Sequence, residues 1–192
     1  MFNWLSFFLY AFVSLFSPGP NNIMSMNYAS KIGIQKSYPF NIGMFIGRII
    51  TMLLSALLTG LLYQFIPKIQ FPMKIVGAIY MLYLAWKCLH NTMDIHTKEI
   101  GANLLNGFLL QFINVKAIIL GINVMTVYIF PYFHNLIQIV GFAIMFAFIG
   151  FSAGICWGIF GTLFNKLFNN YGKAINIIMT LLLIYCAVSL FL

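Results

Sequence analysis

The chain divides into six apolar runs, and no other feature restricts its fold as much. They lie near Trp4 to Met26, Tyr38 to Ile66, Phe71 to Leu89, Asn103 to Phe130, Leu136 to Phe164 and Ala174 to Leu192. A helix needs roughly 20 apolar residues to cross the hydrocarbon of a bilayer, and each run is of that order. The one polar stretch of any length, His90 to Gly101, holds both acids of the chain, Asp94 and Glu99. Hydrophobic residues make up 62% of the 192 and charged residues 6%, so lipid rather than water must cover most of the exterior. The expectation is an all-α polytopic membrane protein, with residues 1-192 forming a single transmembrane domain. Three helices fall in 3-89, a polar cytoplasmic connection in 90-102, and three more helices in 103-192.

A formal charge of +8 does not make this a nucleic-acid binder, because the basic residues are scattered between apolar runs instead of sharing one face with a polar scaffold. The charge reports orientation instead. Lys31, Lys36, Lys87, Lys98, Lys166 and Lys173 fall on one side of the predicted helices, and Lys68 and Lys74 on the other. The positive-inside rule then puts both termini outside. The N-terminus lacks the basic n-region of a cleaved leader, so the first run is expected to stay as a helix. Trp4, Tyr38, Tyr63, Trp86 and Tyr132 sit near predicted span ends, where amphipathic rings favour the headgroup level.

Three helices per half is an odd number, so the second half enters from the opposite side, as an inverted repeat requires. A faint echo accompanies this. Gly43 and Gly47 in the second run match Gly150, Gly154 and Gly158 in the fifth at the same four-residue spacing. Such residues let helix backbones approach closely. They can do so within one chain or between two, and the second case implies a homodimer.

Two places inside the apolar runs are out of keeping with lipid. In the first run, Ser17, Pro18, Gly19, Pro20, Asn21 and Asn22 follow one another. Two prolines flanking a glycine remove backbone donors and forbid continuous helix, and a break at membrane depth needs protein or water around it. A helix resuming after Pro20 would aim free N–H groups and a positive dipole end at the break, suited to an anion such as a carboxylate. A plain loop, or a helix ending early, is the competing account. In the fourth run, Gln111, Asn114 and Lys116 interrupt apolar sequence. Lys116 is about equally far from both predicted ends, so it cannot easily snorkel to water. Arg48 in the second run lies nearer an end, where snorkelling and function compete. No Asp or Glu falls in any predicted span, so a carboxylate partner would have to come from a substrate. A zwitterionic amino acid would supply one.

Ser17-Pro18-Gly19-Pro20-Asn21-Asn22 resembles the first-helix signature of LysE/RhtB amino-acid exporters. Gly77 to Lys87 resembles that family's third-helix motif, and Gln111 to Lys116 its Asn-Pro-Lys segment, with Val115 in place of the usual proline. Together with the C-terminal stretch Asn165 to Leu192, these features are most similar to the cysteine/O-acetylserine exporter subgroup. The resemblance implies six transmembrane helices as two inverted three-helix repeats, the first helix broken at Pro-Gly-Pro. It also implies residence in a bacterial plasma membrane and gradient-driven efflux of small neutral amino acids. Val at position 115 continues a helix where Pro would not, so the fourth run is expected to lack a matching break and the site to be asymmetric.

The remaining features narrow the alternatives. No phosphate-cradling Gly-rich motif is present, so no nucleotide cofactor is expected, nor an enzyme. His90, His96 and His134 are far apart in loops, and a metal site is not expected. Cys88, Cys156 and Cys186 are widely separated in apolar sequence, which disfavours a thiol-disulfide electron carrier. A homoserine or threonine exporter fits the same residues, because the side-chain pocket is built from apolar positions on several helices. A scaffold without transport would tolerate Ala at Lys116 and across Pro18 to Asn22.

Overall fold

The computed structural model describes residues 2–62, 66–89, 102–163 and 172–189. The polar connection, with His90, Asp94, His96 and Glu99, lies outside the described residues. So do Tyr63, Lys98, Lys166 and the side chains of Lys68, Lys74, Lys87, Lys173, Cys88 and Cys186. The described elements are helices: α1 (Trp4–Phe16), α2 (Pro20–Ile32), α3 (Ile34–Leu62), α4 (Ile66–Leu89), α5 (Leu104–Ile113), α6 (Val115–Asn123), α7 (Leu136–Leu163) and α8 (Gly172–Ser189). Beyond Asn123 the chain runs on through a π-helical stretch, Val124–Ile129, closed by the Phe130 N–H donating to the Met125 carbonyl at 2.9 Å.

By length and composition, α3 and α7 are each able to cross a membrane. Leu104–Ile113 with Val115–Ile129, bent by 65°, makes a third candidate if the pair is one span. The first apolar run does not form one helix. Helix α1 stops at Phe16 and α2 starts at Pro20, because Pro18 and Pro20 withhold the amide protons a continuous helix would use. Asn3 caps α1, its side chain accepting from the Ser6 N–H at 3.0 Å. Helix α1 buries Phe7, Ala11 and Leu15, one face at four-residue spacing, and exposes Leu5, Leu9, Phe12 and Val13. That pattern suits a helix between lipid and protein.

Helix α2 is built the other way. It carries Asn21, Asn22, Ser25 and Ser30, all buried, and a polar helix among apolar ones is stable only where protein satisfies its side chains. It packs against α7 and α3. Gly33, at φ +83°, turns the chain from α2 into α3, a backbone conformation that glycine adopts without a Cβ penalty.

Helix α3 packs on α5 and α7, and α4 packs on α8. Glycine sets the first of these distances: a Cβ at Gly43 would collide with the Leu104 carbonyl, and one at Gly107 with the Phe40 carbonyl. On α7, Gly154 lies beside Asn41 and Gly158 beside Ile34, Ser25 and Ala29. Both glycine pairs therefore mediate packing inside one chain, which is the first of their two expected uses.

One expectation is corrected. Val115 does not continue a helix: α5 ends at Ile113, and Val115 is the first residue of α6. Asn114 makes the break. Its backbone is extended, at φ −77° and ψ 94°, and its side-chain oxygen accepts from the Ala117 N–H at 3.4 Å. An Asn that caps the next helix replaces the steric effect of a proline.

Trp4, Tyr38, Trp86 and Tyr132 are exposed, as ring anchors at the membrane interface would be. His134 is exposed in the turn before α7.

Candidate functional site

Interrupting a helix inside apolar surroundings leaves carbonyl groups that must find donors. At the α1–α2 break each carbonyl from Val13 to Gly19 has one. Ser17 donates its N–H to the Val13 carbonyl at 3.1 Å and its hydroxyl to that of Ser14 at 2.8 Å. The Asn22 side-chain amide reaches back to the carbonyls of Leu15 at 2.7 Å and Ser17 at 2.9 Å. The Trp157 indole N–H on α7 donates to Phe16 at 3.0 Å. Lys116 Nζ donates to Pro18 at 2.9 Å, and the Ile23 N–H to Gly19 at 2.9 Å. The donors at the other side of the break are treated differently. Gly19 offers α2 no side-chain cap, so the first amides of α2 keep the positive end of the helix dipole open.

The second break faces the first. Asn114 donates to Asn21 Oδ1 at 2.8 Å, and Asn21 donates in turn to Gln111 Oε1 at 3.0 Å. All three side chains are buried, so this amide relay ties α2 to the α5–α6 corner. Gln111 Nε2, at the end of the relay, has no hydrogen-bond partner. Lys116, one residue into α6, crosses to the other break and donates to Ser17 Oγ at 2.6 Å as well as to Pro18. The fit is tight here: a Cβ at Gly19 would lie 3.1 Å from Lys116 Nζ.

Arg48 comes in from α3 and is 7% exposed. Gly150 on α7 makes room for it, since a Cβ there would lie 2.6 Å from its Cζ. Arg48 is held inside the bundle and does not snorkel. A small pocket of about 30 Å³ lies where these groups meet, bordered by Arg48, Lys116, Asn114, Gly19, Asn21 and Asn22. Ser17 and Pro20 also line it, while Pro18 and Gln111 join through their bonds to Lys116 and Asn21. The structure thus brings together all ten residues singled out from the sequence. Their surroundings are rich in donors and positive charge, and such a constellation suits an anionic group.

Sequence reading passed over several contributors. Ser14, Leu15, Ala117 and Leu120 also border the pocket. Beneath it, Ser25 lies 2.9 Å from Asn41 Oδ1 and 2.7 Å from the Gly154 carbonyl, joining α2, α3 and α7. A lone Asn in the apolar run of α3 was the available signal for Asn41. The role of Trp157 at the end of α1 carries no local signature.

A helical membrane protein that holds a small, donor-rich pocket between the breaks of two interrupted helices has the build of a membrane translocator. The chain belongs to the LysE type translocator family, which it matches over residues 12–192. It is similar to the cysteine/O-acetylserine efflux protein of Salmonella typhimurium (strain LT2), at 36% identity over 187 residues covering 97% of this chain and 96% of the relative. It is also similar to the protein of that name from Escherichia coli (strain K12), at 35% identity over 191 residues with the same coverage. No solved structure matches the chain.

Proposed function

We propose that this protein is a secondary active exporter of small neutral amino acids or their derivatives, cysteine and O-acetylserine first among them, across a bacterial plasma membrane. Its transmembrane part consists of six spans in two inverted halves: α1–α2, α3 and α4, then α5–α6, α7 and α8. The helix pairing supports this, because the interrupted span of each half packs on the second span of the other, α2 on α7 and α5 on α3. The substrate site is Ser17, Pro18, Gly19, Pro20, Asn21, Asn22, Arg48, Gln111, Asn114 and Lys116.

One observation carries the reading: two helix N-termini and two cationic side chains meet at one pocket. Neither acid of the chain, Asp94 or Glu99, falls in a described helix to neutralise them. The missing negative charge is the substrate's carboxylate. Broken helices at transporter midplanes bind carboxylates in this way. A volume of about 30 Å³ holds a water molecule and not an amino acid, so this is a closed state that the helices must leave to load or release substrate. The names of the relatives point to cysteine and O-acetylserine. A homoserine or threonine exporter would use the same carboxylate site and differ only in the apolar lining.

The test is efflux of labelled O-acetylserine and cysteine from everted vesicles holding wild type, Lys116→Ala or Pro20→Ala at matched expression. Export by wild type and loss in both variants is expected. Export that survives both changes would move the site elsewhere, and no wild-type export of either compound would overturn the substrate assignment.

A further inference from the structure

The two cations at the pocket have unequal surroundings. Lys116 is seated: its ammonium donates to Ser17 Oγ at 2.6 Å and to the Pro18 carbonyl at 2.9 Å, both in the α1–α2 break. Arg48 is 7% exposed and borders the pocket. Among the described residues nothing accepts a hydrogen bond from its guanidinium. Thr51 Oγ1 donates to the Arg48 backbone carbonyl at 3.1 Å and leaves the guanidinium untouched.

A guanidinium carries five donors in a planar fork that matches a carboxylate in bidentate fashion, whereas an ammonium is a point charge. Burial of an unmatched fork persists only where something else completes it. Gly150 is the supporting choice on α7: with a side chain there, the guanidinium could not lie where it does. The uncapped start of α2 at Gly19 borders the same space and adds its dipole to the same anion.

We infer that Arg48 is the group that grips the substrate's carboxylate. Lys116 is a positioning residue that fastens the first helix break to α6. This deepens the exporter reading and rests on it: the transported class is α-amino acids with a free carboxylate, recognised through the Arg48 fork. The matching amine lacking the carboxylate is excluded.

The purified full chain in detergent and in proteoliposomes provides the test, with cysteine and cysteamine as the matched pair. Wild type should be stabilised against heat by cysteine and not by cysteamine, and should export only cysteine. Arg48→Gln should raise the KM for cysteine at least about thirtyfold and abolish discrimination against cysteamine. Its melting temperature without ligand should hold or rise, because an unmatched buried charge is gone. Arg48→Lys keeps the charge and loses the fork, so it should fold and still show a KM raised about tenfold. Lys116→Met should do the reverse in the heat assay, melting lower while cysteine, and not cysteamine, still stabilises it. Active Arg48 variants that keep their discrimination and a KM within twofold of wild type would overturn the inference and leave the exporter standing. A wild type that exports no amino acid would overturn both.

Discussion

Replacing Val115 by Pro separates two accounts of the fourth apolar run that differ in sign. If residues 104 to 129 formed a continuous helix, a proline at 115 would remove one backbone bond and clash with the preceding turn, costing about 3 kcal/mol or more. The structure puts Val115 at the first position of α6, with Asn114 extended at φ −77° and ψ 94°. Proline is favoured at that helical position, where the N–H has no intrahelical partner. The extended Asn114 also lies outside the helical region that a following proline disfavours. Fixing φ then costs the folded state nothing and restricts the unfolded chain, which stabilises by about 0.4–1 kcal/mol. The two accounts are thus about 4 kcal/mol apart. Unfolding of the purified protein in mixed micelles, followed by tryptophan fluorescence, resolves a difference of that size. A Val115→Pro protein that folds and exports like wild type, with equal or slightly greater stability, is expected. A loss of 2 kcal/mol or more would refute the Asn114 break.

Three further changes probe the packing around the site. Asn22→Leu keeps the volume and strips the donors from the Leu15 and Ser17 carbonyls. It should destabilise by about 2 kcal/mol in the same assay, and a change under about 0.5 kcal/mol would mean that those carbonyls have other donors. Gly154→Ala brings a Cβ to 2.6 Å from Asn41 Oδ1. Displacing Asn41 from Ser25 should cost about 1–3 kcal/mol in stability, and wild-type stability would show that α7 can shift aside. Replacing Cys88, Cys156 and Cys186 together by Ala or Ser should leave export unchanged. Abolished export in that triple variant, at normal expression, would revive thiol chemistry.

Much of the helix plan is legible in the residues. Apolar runs bounded by charge and turn residues give the helices to within a few positions, because lipid forces every backbone group into internal bonds and leaves helix as the local solution. The Pro18-Gly19-Pro20 interruption reads equally well, since proline acts through its own covalent structure. The break at Asn114 does not. Val115 is compatible with helix, and what ends α5 is an Asn side chain that could equally have pointed elsewhere. Its choice is made by Asn21 waiting across the gap at 2.8 Å.

Sequence by itself determined that this chain lives in lipid, that it is helical, and that polar groups at Ser17 to Asn22, Arg48, Gln111, Asn114 and Lys116 stand where lipid would not tolerate them. Each of those conclusions follows from transfer of single groups out of water, a property of residue type. Only the tertiary structure decided that these residues gather at one pocket, lining it or bonded to its lining, that Lys116 is already engaged with Ser17 and Pro18, and that Arg48 is buried beside Gly150. The bond partners and the empty space around a buried charge belong to several helices at once. No local pattern in the chain records which helices will meet.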